Sequence, residues 1–208
     1  MPAIDLDRVG PGFADPVHDA QRVFRSLLTA MAEPGRIVTL DLPLVPPPGL
    51  SLAQCATLLT LADRDTPVWL APSIDTPDVA DFLAFHCASP RVGSPLGARF
   101  VVLPDLAQLP ALDTLDLGDP AYPDRSSTLI VEVTELAEDG PLELQGPGIP
   151  DRRRLYAGGW STATTRFAAA NHAGFPLGVD LVLCCADALA ALPRTCRITE
   201  STGASSCT

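Results

Sequence analysis

The sequence predicts an α/β protein, arranged as a three-layer sandwich with a central mixed sheet. Helical and strand patterns alternate over most of the 208 residues, as in proteins whose helices cover a sheet. One segment, GVDLVLCC, is continuously apolar, which is typical of a strand buried under helices on both faces. The length fits a single domain, 1–208, with its core at about 15–200 and a disordered polar tail at 201–208.

The first helix is predicted to begin at Asp15 and Pro16 and to end before Pro34 and Gly35. Its buried face is predicted from three-four spacing to contain Val17, Ala20, Phe24, Leu27, Leu28 and Met31. A flanking stripe carries His18, Arg22, Arg25 and Thr29. A solvated helix edge accounts for Arg22, whereas Arg25 lies closer to the apolar face and is the better candidate for contact with a specific partner.

The next segments alternate between strand and helix. RIVTLDL, from Arg36, has the alternation of a strand, and the proline-rich PLVPPPGL is a loop. Ser51 caps a second helix, LAQCATLLTLAD, whose apolar residues on nearly every side predict packing on both faces. VWLA predicts a short buried strand, Thr76 and Pro77 begin a third helix through DVADFLAFHCAS, and RFVVL is another strand.

The second half continues the pattern. Residues 104–123 are interrupted by prolines and acids and predict a short helix plus a loop. STLIVEV and LELQ are predicted strands joined by a turn around EDGP, and WSTATTRFAAANHAGF is helical at least in part. After the strand GVDLVLCC, ADALAALP predicts a short helix and RTCRIT a final strand.

The basic residues are unusual because all 14 are arginines and the chain has no lysine. A Schiff base to pyridoxal phosphate and a Walker A loop both require a lysine, so both are excluded. The net charge of -11 argues against nucleic acid or an anionic membrane as partner. No spanning apolar run and no signal-peptide pattern is present, and we expect a soluble cytoplasmic protein.

The six cysteines form no C-x-x-C pair and have no matching histidine spacing. We interpret them as free thiols, mostly buried as small apolar side chains. His86 next to Cys87 resembles a ligand pair, but such neighbours are usually incidental. We therefore predict no metal site.

The segment LELQGPGI, at 142–149, raises the question of a phosphate-binding loop. Gly146 and Gly148 would allow close approach of backbone N–H groups to an anion. Pro147 between them has no N–H to donate, and no lysine stands nearby. We interpret the segment as a sharp turn after a strand.

Tests for common catalytic motifs find neither a G-x-S-x-G elbow nor an N-terminal G-x-G-x-x-G turn. Asp124 and Arg125 are a candidate acid and anion clamp, although a turn before a strand explains them equally well. His172 has the chemistry of a general base, but a solvated histidine is the commoner case. Asp180 begins an apolar strand, and Arg194 is its expected partner at the neighbouring strand end.

Five segments in order resemble one family: DAQRVFRSLLTAMAEPGRIVTL, TLLTLADRDTPVWL, LELQGPGI, FPLGVDLVL and LPRTCRI. Together they are similar to the H subunit of bacterial carbon-phosphorus lyase, and the resemblance runs from about Asp15 to Glu200. It implies a pyridoxal-phosphate transferase fold without the cofactor. It also implies a homodimer that joins the G, I and J subunits in a core complex and packs against the J subunit.

That complex makes ribose 1-alkylphosphonate 5-triphosphate from ATP and a phosphonate, and its I and J subunits are credited with the nucleosidase-type and radical iron-sulfur chemistry. The resemblance therefore implies no catalytic residue in this chain, and its cysteines form no cluster for an iron-sulfur centre. Residues that match the family's motifs are Arg25, Gly146, Gly148, Asp180 and Arg194. The full set of anion- or partner-binding candidates adds Arg36, Asp124, Arg125 and His172.

Three hypotheses remain at this point. The leading one is a non-catalytic subunit that presents a surface to the J subunit, with a nucleotide or phosphonate as the small ligand held by guanidinium groups. The second is a stand-alone enzyme acting on a small phosphorylated metabolite through Asp124 or His172. The third is a dimeric spacer without a ligand.

Overall fold

The computed structural model describes residues 4–201. Apart from Ser201, the predicted disordered tail at 201–208 lies outside the described residues, as does Cys207. Within the described range, no helix has the length and apolar character needed to cross a membrane.

Each of the four described α-helices begins at a polar residue whose side chain accepts a backbone N–H of the first turn, which supplies a partner for a donor that the helix leaves free. These residues are Asp15, Ser51, Thr76 and Ser161. The helices are α1 Pro16–Ala32, α2 Leu52–Leu61, α3 Pro77–His86 and α4 Thr162–Ala173. The first three agree with the predicted helices to within a few residues.

The strands form two sheets. In chain order they are β1 Val38–Thr39, β2 Val68–Leu70, β3 Phe100–Leu103, β4 Thr128–Glu132, β5 Leu136–Gln145, β6 Arg153–Ala157, β7 Asp180–Cys185, β8 Ala188–Leu192 and β9 Arg197–Glu200. The larger sheet has six strands in the order β1-β8-β7-β4-β3-β2, and the smaller has the order β6-β5-β9. The predicted α/β class with a mixed sheet is confirmed, and the second sheet is an addition that the sequence did not indicate.

The centre of the larger sheet is parallel and apolar. Strands β2, β3, β4 and β7 pair in parallel, while β8 and β1 run antiparallel to their neighbours. All four residues of β3 are buried. Gln54 of α2, only 1% exposed, donates its amide to the carbonyls of Leu103 and Ile130. The helix is therefore tied to two central strands by a buried polar contact as well as by apolar packing.

The prediction that EDGP forms a turn between two strands was wrong. These residues, 138–141, lie inside β5, where the pairing with β6 shifts register between Glu138 and Leu142. Asp139 has a φ of 62° at this bulge. A bulge inserts extra residues into one strand without ending it, so residues typical of a turn occur here within a continuous strand. Its partner, β6, is a strand that the sequence analysis did not predict.

The prediction that ADALAALP forms a helix was also wrong, because residues 188–192 are strand β8. Alanine and leucine favour helices when judged locally, but tertiary context overrides this preference. A two-residue turn at Ala186 and Asp187 joins β7 to β8, with Cys185 opposite Ala188. Pairing with β7 on one side and β1 on the other supplies the backbone hydrogen bonds of this segment.

The predicted buried face of α1 was wrong in part. The buried residues are Asp19, Val23, Leu27 and Ala30, on the side that packs against α2 and β8. Val17, Phe24 and Leu28 are instead 75%, 46% and 52% exposed. Apolar residues occupy two sides of this helix, so spacing alone does not identify which side packs against the core.

The segment between β3 and β4 contains three short 3-10 turns, at Leu106–Gln108, Leu112–Thr114 and Pro123–Arg125. The sequence predicted one short helix and a loop there. Prolines at 104, 110, 120 and 123 interrupt the segment and prevent a longer helix. The last turn brings Asp124 and Arg125 to the edge of the larger sheet where β4 begins.

Candidate functional site

Five of the predicted site residues meet at one edge of the larger sheet. Asp180 begins β7 directly opposite Thr128, the first residue of β4, and Arg194 follows β8 on the same edge. Asp124 and Arg125 precede β4, and His172 lies in the last turn of α4. We call this place the amino edge, because the central parallel strands begin there.

Arg194 is the centre of the amino edge, and its hydrogen bonds are directed inward. Its backbone N–H and its Nε donate to Oδ1 of Asp180 at 2.8 and 3.2 Å, and Nη2 lies 2.7 Å from Oδ2. Nη1 donates to the carbonyl of Pro123 at 2.8 Å, and Nη2 also donates to the hydroxyl of Ser126. The expected pairing with Asp180 is thus present, in a bidentate arrangement.

The contacts of Arg194 leave little of it for an external anion. The side chains of Arg194 and Asp180 are 12% and 17% exposed. The guanidinium already donates hydrogen bonds to a carboxylate, a backbone carbonyl and a hydroxyl. The arrangement joins the end of β8, the start of β7 and the segment before β4. Its geometry is that of an internal crosslink.

The remaining residues of the amino edge are peripheral to this crosslink. Nδ1 of His172 lies 3.2 Å from the carbonyl oxygen of Arg194. The guanidinium of Arg125 is exposed and stacks 3.9 Å from the ring centre of Tyr122. Asp124 is exposed, and its backbone carbonyl accepts from Arg99. These contacts do not align Asp124, Arg125 and His172 as a nucleophile, a base that activates it and a group that orients the base.

The two glycines of LELQGPGI occupy a tight turn that contacts two other parts of the chain. Gly146 has a φ of 144° and Gly148 a φ of 82°, and the N–H of Ile149 bonds back to the carbonyl of Gly146. A Cβ at Gly148 would lie 1.9 Å from the carbonyl oxygen of Ala32, and one at Gly146 would lie 2.9 Å from that of Thr195. The geometry confirms the sharp turn and gives a reason for both glycines.

Arg36 and Arg25 lie away from the amino edge. Arg36 pairs with Glu33 at 2.8 Å, with both side chains about half exposed. Its neighbour Arg153 donates to the carbonyls of Glu33 and Pro34 at 2.8 and 3.0 Å, which satisfies acceptors at the end of α1. Arg25 lies on the outer side of α1, and its guanidinium makes no hydrogen bond or ion pair within the range 4–201.

At the opposite edge, where the parallel strands end, lies a cleft of about 440 Å³. Ligands of open α/β sheets usually bind at this carboxyl edge. The cleft is lined by residues at and just after the ends of β3, β4, β6 and β7, among them Asp105, Glu132, Gly159 and Cys185. It has two acids and no arginine in its lining, so it does not match the anion-binding role predicted from the sequence.

Sequence reasoning missed Glu132, whose Oε1 accepts the N–H of Ala186 at 3.1 Å. Burial raises the pKa of Glu132, and the Ser51 hydroxyl and the Ala186 N–H oppose that shift. Its Oε2 is enclosed and accepts no hydrogen bond from any residue of the described range 4–201. The signal was present in STLIVEV, because an acid at the end of a buried parallel strand lies at the carboxyl edge.

The four buried cysteines of the described range are suited to packing and not to nucleophilic chemistry. Cys55, Cys87, Cys184 and Cys196 are buried and free, as predicted. Desolvation raises the pKa of Cys55 and Cys87 to about 12 and that of Cys196 to about 11, so their reactive thiolates are suppressed near neutral pH. Within residues 4–201, no three histidine, cysteine or acidic side chains are grouped to hold a metal ion.

The sequence matches a family of known proteins and two named relatives. A family model described as bacterial phosphonate metabolism protein (PhnH) matches residues 11–199. Alpha-D-ribose 1-methylphosphonate 5-triphosphate synthase subunit PhnH of Rhizobium meliloti (strain 1021) is 41% identical over 186 residues, which cover 89% of this chain and 93% of the relative. The putative C-P lyase subunit protein HtxG of Stutzerimonas stutzeri is 32% identical over 178 residues, 86% of this chain and 85% of that protein.

The family match covers nearly all of the helices and strands described above, including both edges of the larger sheet. It agrees with the resemblance inferred from the five sequence segments. The chain belongs to the bacterial phosphonate metabolism protein family PhnH.

Proposed function

We propose that this chain is a subunit of the carbon-phosphorus lyase core complex. In that role it would be needed to form ribose 1-alkylphosphonate 5-triphosphate from ATP and an alkylphosphonate. The observation that carries the proposal is the 41% identity to a synthase subunit over 93% of that relative's length. The named C-P lyase subunit relative points to the same process.

We further propose that the chain assists the reaction without carrying it out. Arg194 is used internally, the carboxyl-edge cleft has no basic group, and Asp124 and His172 are not assembled with a nucleophile. The chain has no lysine, so a pyridoxal phosphate Schiff base has no amine to form on. We also propose that the fold has three layers and resembles that of a pyridoxal-phosphate transferase without the cofactor.

The partners in this proposal are the G, I and J subunits, together with a second copy of the chain in a homodimer, in the cytoplasm. A nucleotide or phosphonate is the small ligand that the assembled complex would hold. The exposed apolar side of α1 supports a role in assembly, because large apolar side chains exposed together often mark a protein interface.

A reconstitution experiment tests the proposed function. The G, I and J subunits are purified with and without this chain, and adenine release is measured from ATP and methylphosphonate. We expect release only when this chain is present, and none from this chain alone. Full activity without the chain would contradict the subunit role, whereas adenine release by the chain alone would favour the stand-alone enzyme.

A further inference from the structure

Helix α1 carries two apolar sides, and the fold uses one of them. Val23, Leu27 and Ala30 are buried where the helix packs against α2 and β8. A second side, roughly 110° around the helix at 100° per residue, carries Val17, Phe24 and Leu28, which are all substantially exposed. We call these three residues the outer ridge.

The outer ridge is continuous along the helix. At 100° per residue its three members fall within about 40° of one another, and from Val17 to Leu28 they extend over about 17 Å of helix at ~1.5 Å per residue. Phe24 and Leu28 are four residues apart and form the kind of row that fits the groove between side chains of a second helix. Such a row favours a helical partner over an irregular one.

One flank of the outer ridge is basic. Arg25 lies next to Phe24, and its guanidinium has no acceptor in the described part of the chain. Arg22 is on the same flank, and its side chain remains 58% exposed although it pairs with Asp19. Asp19 is itself buried, so α1 shows no exposed carboxylate between Pro16 and Ala32. This positive flank occurs on a chain of net charge -11.

A second copy of the chain fits this flank poorly. In an antiparallel two-fold pair of α1 helices, the two basic flanks would lie on the same side of the contact, where they repel. In a parallel two-fold pair, the basic flank of each helix would face the other flank of its partner, around Ala20 and Met31. That flank carries no acid. Neither arrangement places a carboxylate opposite Arg25.

We propose that the outer ridge docks an amphipathic helix from a different protein, with acidic residues along the side that faces Arg22 and Arg25. The inference rests on the proposed function, since a subunit of a multi-protein complex needs such a surface. Apolar burial along the ridge supplies the affinity, and the charge match sets the orientation and favours this partner over self-association.

Co-expression with the G, I and J subunits tests this inference. We compare the wild type with Phe24→Ser/Leu28→Ser and with Arg25→Ala, and use Phe85→Ser as the matched control because Phe85 is 53% exposed on α3. Native mass spectrometry measures incorporation, and thermal unfolding of each isolated chain checks that it folds. We expect the double variant to lose about tenfold or more in affinity, while Phe85→Ser assembles normally.

The charge part of the inference has its own readout. Binding of the wild type should weaken as salt rises, and Arg25→Ala should show a smaller salt dependence because one charge pair is gone. A folded double variant that assembles like the wild type overturns the inference. So does a double variant that loses only self-association in sedimentation experiments. If the wild type itself fails to join the subunits, the proposed function fails and the inference falls with it.

Discussion

Arg194 joins three segments of the chain through side-chain contacts to Asp180, Pro123 and Ser126. It was predicted as an anion- or partner-binding residue, and its pairing with Asp180 was foreseen because each lies at a strand end. The sequence did not reveal the contacts with Pro123 and Ser126, since nothing local predicts that the loop before β4 packs on the end of β8. These contacts indicate that the guanidinium of Arg194 stabilises the fold.

Replacing Arg194 with alanine should destabilise the fold strongly. Removing one member of a mostly buried ion pair leaves the other without a partner, and we expect a loss of about 3 kcal/mol in the free energy of unfolding. Urea denaturation measures the change. Arg36→Ala is the matched control, because the exposed pair with Glu33 should contribute less than about 1 kcal/mol. Equal effects from the two substitutions would refute the internal role.

Glu132 gives a prediction for the pH dependence of stability. Burial raises its pKa in the folded protein above the ordinary value of 4.5, so the folded state binds the proton more tightly than the unfolded state. The resulting stabilisation is present at acidic pH and is lost as pH rises through the folded pKa. We therefore expect Glu132→Gln to gain stability relative to the wild type as pH rises above 4.5.

Unfolding free energies of the wild type and Glu132→Gln, measured at intervals between acidic and neutral pH, test this expectation. Glu138→Gln, at an exposed position, is the control. If the difference between Glu132→Gln and the wild type stays constant with pH, burial does not raise the pKa of the Glu132 carboxyl group.

Among the elements, helices with clear capping residues were predicted well and strands with unusual composition were not. The cap and proline at the start of α1 and α3 are local signals, so the sequence alone locates these ends. β8 has the composition of a helix, and only its two neighbouring strands determine its conformation. The bulge in β5 carries the residues of a turn, and only the pairing with β6 shows that the strand continues.

The turn after β5 can be tested through its glycines. Gly148→Ala would place a Cβ 1.9 Å from the carbonyl oxygen of Ala32 and also strain a φ of 82°. We expect a loss of about 3 kcal/mol or more in stability. Thermal or urea unfolding gives the measurement.

Gly159→Ala is the control for backbone strain alone. Gly159 has a φ of 90°, but a Cβ there would meet nothing within 4 Å. A loss of about 1–2 kcal/mol is expected from the positive φ. If Gly148→Ala and Gly159→Ala have equal effects, the contact between this turn and the end of α1 is unimportant for stability.

For the molecule as a whole, alternation of helix and strand patterns was enough to predict the α/β class. The order of the strands was not predictable from that pattern, because it depends on contacts between distant segments. The predicted site was recovered only as a set of neighbours: five residues lie at the amino edge, but the hydrogen bonds of Arg194 and Asp180 are directed into the fold, and Asp124 and Arg125 are exposed beside them. A pattern of residue types cannot show whether a guanidinium already has partners.

The strand order predicts the effect of a shortened chain. Among the residues that the structure describes, β1 pairs only with β8, so a chain that ends at Asp187 lacks the strand that holds β1 and also lacks β9. We expect this truncated chain to lose cooperative thermal unfolding, followed by circular dichroism. A chain that ends at Ser201, which keeps all the described strands, is the control and should keep cooperative unfolding. Cooperative unfolding of the shorter chain would show that the parallel strands suffice.

The same strand order affects how the protein acquires its fold during synthesis. Val38 pairs with Leu189, so β1, the first of the described strands to be synthesised, has no partner until β8 is synthesised. Contacts between such distant residues slow folding and leave apolar segments exposed in the nascent chain. We therefore expect the polypeptide to need chaperone protection until β8 has been synthesised.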